Sequence, residues 1–338
     1  MTERKVRIGQ AGIANHGRTI VNAIRDSGNM QLVSCFDINA AANEQVAREF
    51  GASQKPGFDD LVSDPAIEAI ALVTPNQLHL EEVEKAVKAR KHIFVEKPIG
   101  NTVAEANAMI AVVQDSGLVF MVGHNTRRRQ VFRRAKKLLE EQRIGSIVAV
   151  EANLSRPAGL QPGLPAWKAD RKTCPLLPMM QLGIHLVDAT EYLLGPVARV
   201  SCFAANIAMP NQSLDSTAAI LQLESGVPVS LTSYYVSADA YFLRIYGTKG
   251  TIHCYPTKLR LELLEKGEFK EAVDEEFATE GAGSYILQMR EFGECVLQGN
   301  QPETGGREGL RALAAIEAMV LSVENHAVVE LNDILKRK

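Results

Sequence analysis

The stretch Lys91-His92-Ile93-Phe94-Val95-Glu96-Lys97-Pro98 runs an apolar strand into a lysine. In open α/β sheets, ligands gather at the carboxyl ends of the strands. A lysine held there beside a cofactor, partly screened from water, can have its pKa lowered and share a proton with a substrate hydroxyl. Pro98 restricts the residue before it, so Lys97 is expected in an extended or turn conformation. The same residues also read as an ordinary exposed lysine at a strand end.

The elements that would position a cofactor beside Lys97 begin at the N-terminus. An apolar strand, Val6–Ala11, enters Gly12-Ile13-Ala14-Asn15-His16-Gly17 and then a helical segment through Ile24. In the dinucleotide-binding arrangement the first glycine permits the tight turn and the third permits close packing of helix on strand. The helix N-terminus then offers amides and a positive dipole end to a pyrophosphate. Ala14 stands where the second glycine is usual. A second strand over 32–36 ends at Asp37, near the spacing at which an acid hydrogen-bonds the adenosine ribose hydroxyls, and its charge would repel a 2′-phosphate. A third strand over 69–73 leads into Thr74-Pro75-Asn76-Gln77-Leu78-His79 and a helix through Ala89.

With Glu96-Lys97-Pro98, Gly183-Ile184-His185-Leu186-Val187-Asp188 and Arg244-Ile245-Tyr246-Gly247-Thr248-Lys249-Gly250-Thr251, these motifs resemble the Gfo/Idh/MocA oxidoreductases nearly end to end. The resemblance implies an N-terminal Rossmann domain. It also implies a nicotinamide cofactor, with NAD preferred over NADP on account of the Asp37 charge, and hydride transfer between the nicotinamide and a secondary hydroxyl of a sugar, polyol or related cyclic compound. Gly12, Ile13, Ala14, Asn15, Gly17, Asp37, Thr74, Pro75, Asn76, His79, Glu96 and Lys97 would form the nucleotide site, with His79 setting loop geometry. Lys97 and His185 would serve the substrate hydroxyl, histidine being suited to proton transfer near neutrality. His185 also reads as a satisfied histidine at a helix start, and His16 as a structural residue of the glycine turn.

Many relatives carry an aspartate four residues before that histidine, where this chain has Gln181. An amide can only hydrogen-bond, so Gln181 is expected to position while His185 and Lys97 move the proton. Pro175-Leu176-Leu177 replaces a run of glycines common beside the cofactor, which predicts a bulkier, more apolar pocket wall. His124, Arg127, Trp167 and Lys168 are candidate substrate contacts, although Trp167 could equally cap the core. Relatives also exist that cleave glycosides by transient oxidation, elimination and rehydration, and others bind NAD and a regulatory partner without catalysis. A homodimer or homotetramer is implied in the same way.

The 338 residues suggest two domains on a prior of roughly 150 residues each. Strand and helix signals alternate to about residue 122, including a helix over 41–50 and another opened by Thr102-Val103-Ala104-Glu105. This predicts a doubly wound parallel sheet, an α/β domain over 1–124. From Ile147 strands dominate, at 147–154, 197–203, 217–223, 227–235, 241–246 and 251–254, which predicts an α+β domain with a large, mostly antiparallel open sheet over 125–338. The proline-rich segment 155–178 reads as a long irregular connection. Leu313, Ile316, Val320 and Val323 mark an amphipathic helix.

A formal net charge of −3 provides no overall basic field for nucleic acid. The basic run of Arg127, Arg128, Arg129, Arg133, Arg134, Lys136 and Lys137 reads as a solvated helix face or as a contact to an anion. Five scattered cysteines show no short metal spacing and suggest thiols in a reducing compartment, and no metal is expected. Strand-like sequence by Val6 leaves no room for a signal peptide, and no apolar run would span a bilayer, so a cytoplasmic enzyme with no membrane partner is expected.

Overall fold

The computed structural model describes residues 4–277 and 280–337. It divides into two compact units, one of residues up to Asn125 with Gly281–Leu310, the other of Thr126–Glu280 with Arg311–Arg337. The division of the sequence at 124/125 lacks the return of 281–310 to the first unit.

The first unit holds strands β1 (Val6–Ala11), β2 (Met30–Phe36), β3 (Ser53–Gln54), β4 (Ala69–Leu72), β5 (His92–Val95) and β6 (Phe120–Val122). All pair in parallel in the order β3-β2-β1-β4-β5-β6. Every residue of β4 and β6 is buried, as expected of strands covered on both faces. The connecting helices are α1 (His16–Ser27), α2 (Ala40–Phe50), α3 (Phe58–Val62), α4 (His79–Lys88) and α5 (Val103–Gln114). Thr102 caps α5 by accepting from the Glu105 amide at 3.2 Å, while Glu105 reaches back to the Asn101 amide at 2.7 Å. Strand order reverses between β1 and β4, so the loops 12–15 and 73–78 leave neighbouring strands in opposite directions, where such folds bind their ligands.

Two further helices, α6 (Gln130–Glu140) and α7 (Ala166–Ala169), precede α8 (Ile184–Leu194) in the second unit, and α9 (Glu280–Gln298) follows its sheet. Met289, Phe292 and Cys295 of α9 enter the core formed by Val6, Ile8 and Ile20, with the Phe94 and Phe292 rings 6.0 Å apart. This apolar packing brings α9 back into the first unit.

The second unit is built on β7 (Ile147–Ser155), β8 (Val197–Ala205), β9 (Ser216–Leu223), β10 (Pro228–Tyr234), β11 (Ala240–Gly247), β12 (Gly250–Cys254), β13 (Lys258–Glu265), β14 (Glu268–Glu276) and β15 (Val329–Glu330). Their order is β14-β13-β12-β11-β7-β10-β9-β8-β15, antiparallel except where β10 meets β7. In β9 and β10 buried residues alternate with more exposed ones, the signature of a sheet covered on one face. Helix α10 (Gly306–Asn325) crosses the division between units, and α11 (Leu331–Leu335) ends the described chain.

Between β7 and the helical turn that begins at Leu177, the described chain is irregular apart from a short 3₁₀ turn at Pro157–Leu160 and α7. The basic run is tied into the second unit rather than simply solvated. Arg127 and Arg128 are buried, Arg134 holds Glu275 at 3.0 and 3.1 Å, and Lys136 donates to the Tyr192 and Leu193 carbonyls at the end of α8. Among the described residues no disulfide joins the five buried cysteines, and no helix is long and apolar enough to cross a membrane.

Candidate active site

At the end of β1 the chain turns at Gly12 with φ 77°, a left-handed conformation that favours glycine. A Cβ on Gly12 would also lie 2.5 Å from the Val73 carbonyl oxygen, and one on Gly17 would strike the carbonyl of Gly12. Both glycines are thus required, one for the turn and one for seating α1 against it. Gln10, buried within β1, donates from Nε2 to the carbonyls of Gly12 and Gly17 at 2.9 Å each. Its signal in the sequence is a polar residue inside an otherwise apolar strand. No side chain caps the N-terminus of α1, which leaves that end of the helix to attract an anion.

Asp37 lies against this turn. Its Oδ2 accepts from the amides of Ile13 at 2.7 Å and Ala14 at 2.9 Å, and Oδ1 accepts from Asn39 N at 2.7 Å. The sequence places this acid at the end of β2, but only the fold shows that its carboxylate braces the glycine turn. Each carboxylate oxygen can accept more than one hydrogen bond, so these contacts leave capacity for a ribose hydroxyl. A tight glycine turn, a helix end without a side-chain cap and an acid beside them fit a dinucleotide.

Lys97 follows β5 and is half-buried, with a cis bond to Pro98. Glu96 is buried: its Oε2 accepts from the Lys97 amide at 3.1 Å, and Oε1 lies 3.4 Å from His16 Nε2. Burial works against the charge on Glu96, but His16, Lys97 and the Lys97 amide together hold its carboxyl below the usual range. A Cβ on Gly123 would lie 2.9 Å from Glu96 Cδ, so the carboxylate needs that glycine opposite it. His16 also meets Tyr285 edge-on, with ring centroids 5.5 Å apart.

The Thr74 loop is held from α4. Thr74 Oγ1 donates to Glu82 Oε2 at 2.5 Å, while His79 sets Nε2 against the Thr74 carbonyl and Nδ1 against that of Ile99, each at 3.1 Å. Burial pushes the His79 imidazole below its ordinary pKa despite these carbonyls. With a carbonyl facing each ring nitrogen, His79 holds the loop in place. Asn76 is buried and donates to Asn101 Oδ1. Glu82 belongs to no motif, yet it falls on the inward stripe His79, Glu82, Val83 and Ala86, a helical spacing visible in the sequence.

In the second unit a π-helical turn, Met179–Gly183, leads into α8. His185 Nδ1 lies 3.2 Å from Thr126 Oγ1, and the Gln181 amide reaches Cys174 Sγ at 3.9 Å. Arg127, a candidate substrate contact, grips Asp188 of α8 through Nε at 3.1 Å and Nη2 at 2.5 Å. Parting two buried opposite charges would leave each uncompensated, which ties Arg127 to Asp188. His124, placed by the sequence at a cleft mouth, is fully buried at the end of β6 in the first unit.

Trp167 and Lys168 are half-buried, with the Lys168 ammonium 5.3 Å from the indole centroid. Burial lowers the Lys168 pKa, and Cys174 works against that shift. Leu176 and Leu177 are fully buried and fill the core of their unit. Among the described residues, no group of three His, Cys, Asp or Glu side chains could hold a metal ion.

Residues 6–124 match the NAD-binding Rossmann-fold model of an oxidoreductase family, and residues 136–331 match its C-terminal alpha/beta domain. Inositol 2-dehydrogenase of Rhizobium meliloti (strain 1021) is 27% identical over 329 residues, 94% of this chain and 97% of the relative. D-xylose 1-dehydrogenase (NADP(+)) 2 of Haloferax volcanii is 25% identical over 333 residues, covering 96% and 98%. The fold also matches levoglucosan dehydrogenase in complex with NADH and levoglucosan, with TM-score 0.89, 20% identity, and coverage of 97% and 100%. With the glycine turn, the strand order and both domain models in agreement, the chain belongs to the Gfo/Idh/MocA family of NAD-binding oxidoreductases.

Proposed function

We propose that the protein transfers a hydride between NAD and a secondary hydroxyl of a sugar, polyol or related cyclic compound, with Lys97 and His185 handling the hydroxyl proton. The observation that carries this reading is the Lys97 backbone, fixed by a buried glutamate that also faces His16 of the glycine turn. NAD, when bound, supplies the hydride acceptor. Gly12, Gly17 and the N-terminus of α1 would hold the pyrophosphate, and Asp37, beside that turn, would hydrogen-bond the ribose hydroxyls and disfavour a 2′-phosphate by its charge. Thr126 meets the His185 ring at Nδ1 and so fixes its orientation. Gln181 contributes a hydrogen bond but no charge. The names of the relatives support sugars and polyols as the substrate class.

The test is NADH formation with myo-inositol, levoglucosan and D-xylose, repeated with Lys97→Met. Removing a general acid or base should lower turnover by about 10²-fold or more while NADH affinity stays nearly unchanged. A Met variant as active as wild type would overturn the role of Lys97, and wild type that binds NADH but oxidises no such alcohol would overturn the reaction.

A further inference from the structure

Helix α4 buries His79, Glu82, Val83 and Ala86, and the carboxyl among them needs an explanation. An apolar side chain would fill that position at lower cost, since a buried carboxylate is unfavourable unless hydrogen bonds compensate it. Glu82 has one such bond, from the Thr74 hydroxyl at 2.5 Å. The Thr74 carbonyl in turn faces His79, so the same helix holds the loop by both its side chain and its backbone. That loop abuts the glycine turn: a Cβ on Gly12 would lie 2.5 Å from the Val73 oxygen and 3.0 Å from Thr74 N. A change at Glu82 therefore reaches the nucleotide turn through one hydroxyl and one tight backbone contact.

The charges around Glu82 leave it poised. Burial pushes its carboxyl up to about 7; the Thr74 hydroxyl opposes the shift, Glu81 adds to it and Lys85 opposes it. Lys85 is itself engaged by Asp59 of α3 at 2.8 Å and Glu81 at 2.9 Å, and His79 shares the buried face of the helix. When Glu82 is ionised, the only hydroxyl proton of Thr74 is drawn into the carboxylate and a negative charge stays close to the turn. When Glu82 is protonated, it can donate to Thr74 Oγ1, which frees the Thr74 proton for an outside acceptor and removes that charge. Both effects favour an anionic ligand.

We infer that Glu82 is a positioning residue that acts through Thr74 to tune nucleotide affinity with pH, neutral Glu82 favouring the bound form. The inference rests on the nucleotide-site reading given above. By linkage, NADH affinity should fall as pH rises through neutrality, by about threefold if binding shifts the titration by roughly half a unit.

The experiment measures the Kd of NADH by its fluorescence from about pH 6 to about pH 8.5, for wild type and for Glu82→Gln, Thr74→Val and His16→Asn. Glu82→Gln should bind as wild type does at the acid end and lose the step. Thr74→Val removes both the hydroxyl through which Glu82 acts and a bond to the charged form, so its step should shrink and move to higher pH. His16→Asn should keep the step, which separates the effect of Glu82 from that of the imidazole on the turn. NADH bound with the same step in Glu82→Gln and Thr74→Val, or with no step in wild type, would overturn the role of Glu82 alone. Folded wild type that binds no NADH at any pH would overturn the nucleotide reading and this inference with it.

Discussion

Removing Asp188 should damage the fold far more than the net value of its ion pair suggests. Its carboxylate takes two hydrogen bonds from Arg127, at 3.1 and 2.5 Å, and the side chains are 1% and 8% exposed. Charge-assisted bonds of this kind contribute about 1.5–3 kcal/mol each. Taking both ions out of water costs several kcal/mol per ion, so the intact pair is worth little against an apolar replacement. Asp188→Ala is different, because it leaves a guanidinium buried without its carboxylate, and the Tyr192 ring 5.2 Å from Arg127 Cζ recovers only a fraction.

The expected loss is about 3–5 kcal/mol, a large share of the roughly 5–15 kcal/mol typical of a folded domain. Asp188→Asn keeps the volume and one acceptor and should lose about 2–3 kcal/mol. The double variant Arg127→Met with Asp188→Leu should return to within about 2 kcal/mol of wild type. Urea unfolding followed by Trp167 fluorescence is the assay. Trp167 is the only tryptophan and lies in the same compact unit as the pair, so it reports that unit even if the chain unfolds in two steps. An Asp188→Ala loss below about 1 kcal/mol, or a double variant less stable than Asp188→Ala, would refute the argument.

Asp37→Ser should narrow or reverse a preference for NADH over NADPH, measured as a ratio of Kd values, and should loosen the glycine turn because two amides lose their acceptor. Wild type that binds NADPH more tightly than NADH would sink the assignment. His185→Gln should remove most activity together with the acid limb of the kcat/KM profile. Gln181→Asp should shift that limb to higher pH, because a carboxylate stabilises a nearby imidazolium. Wild-type turnover and profile in His185→Gln would make the histidine structural.

Features governed by a few neighbouring residues were legible in the sequence. The turn at Gly12 and the seating of Gly17 follow from backbone sterics, and the Thr102 cap from a hydrogen bond spanning three residues. The strands β4, β5 and β6 follow from short apolar runs, and their carboxyl ends already marked Thr74 and Lys97. The strand β14 was not legible, because it is almost wholly exposed and no buried face imposes alternation on its charges, whereas β13 does alternate Leu259 and Leu261 with Lys258, Arg260 and Glu262. Tertiary packing alone made Arg127 a partner of Asp188, 61 residues away. It also returned α9 to the first unit, turned Asp37 onto the Ile13 and Ala14 amides, and set Glu82 beneath Thr74. Residue type sets what a polar group can do, but the choice among possible partners is made by which of them shares its burial, and burial belongs to the packed chain.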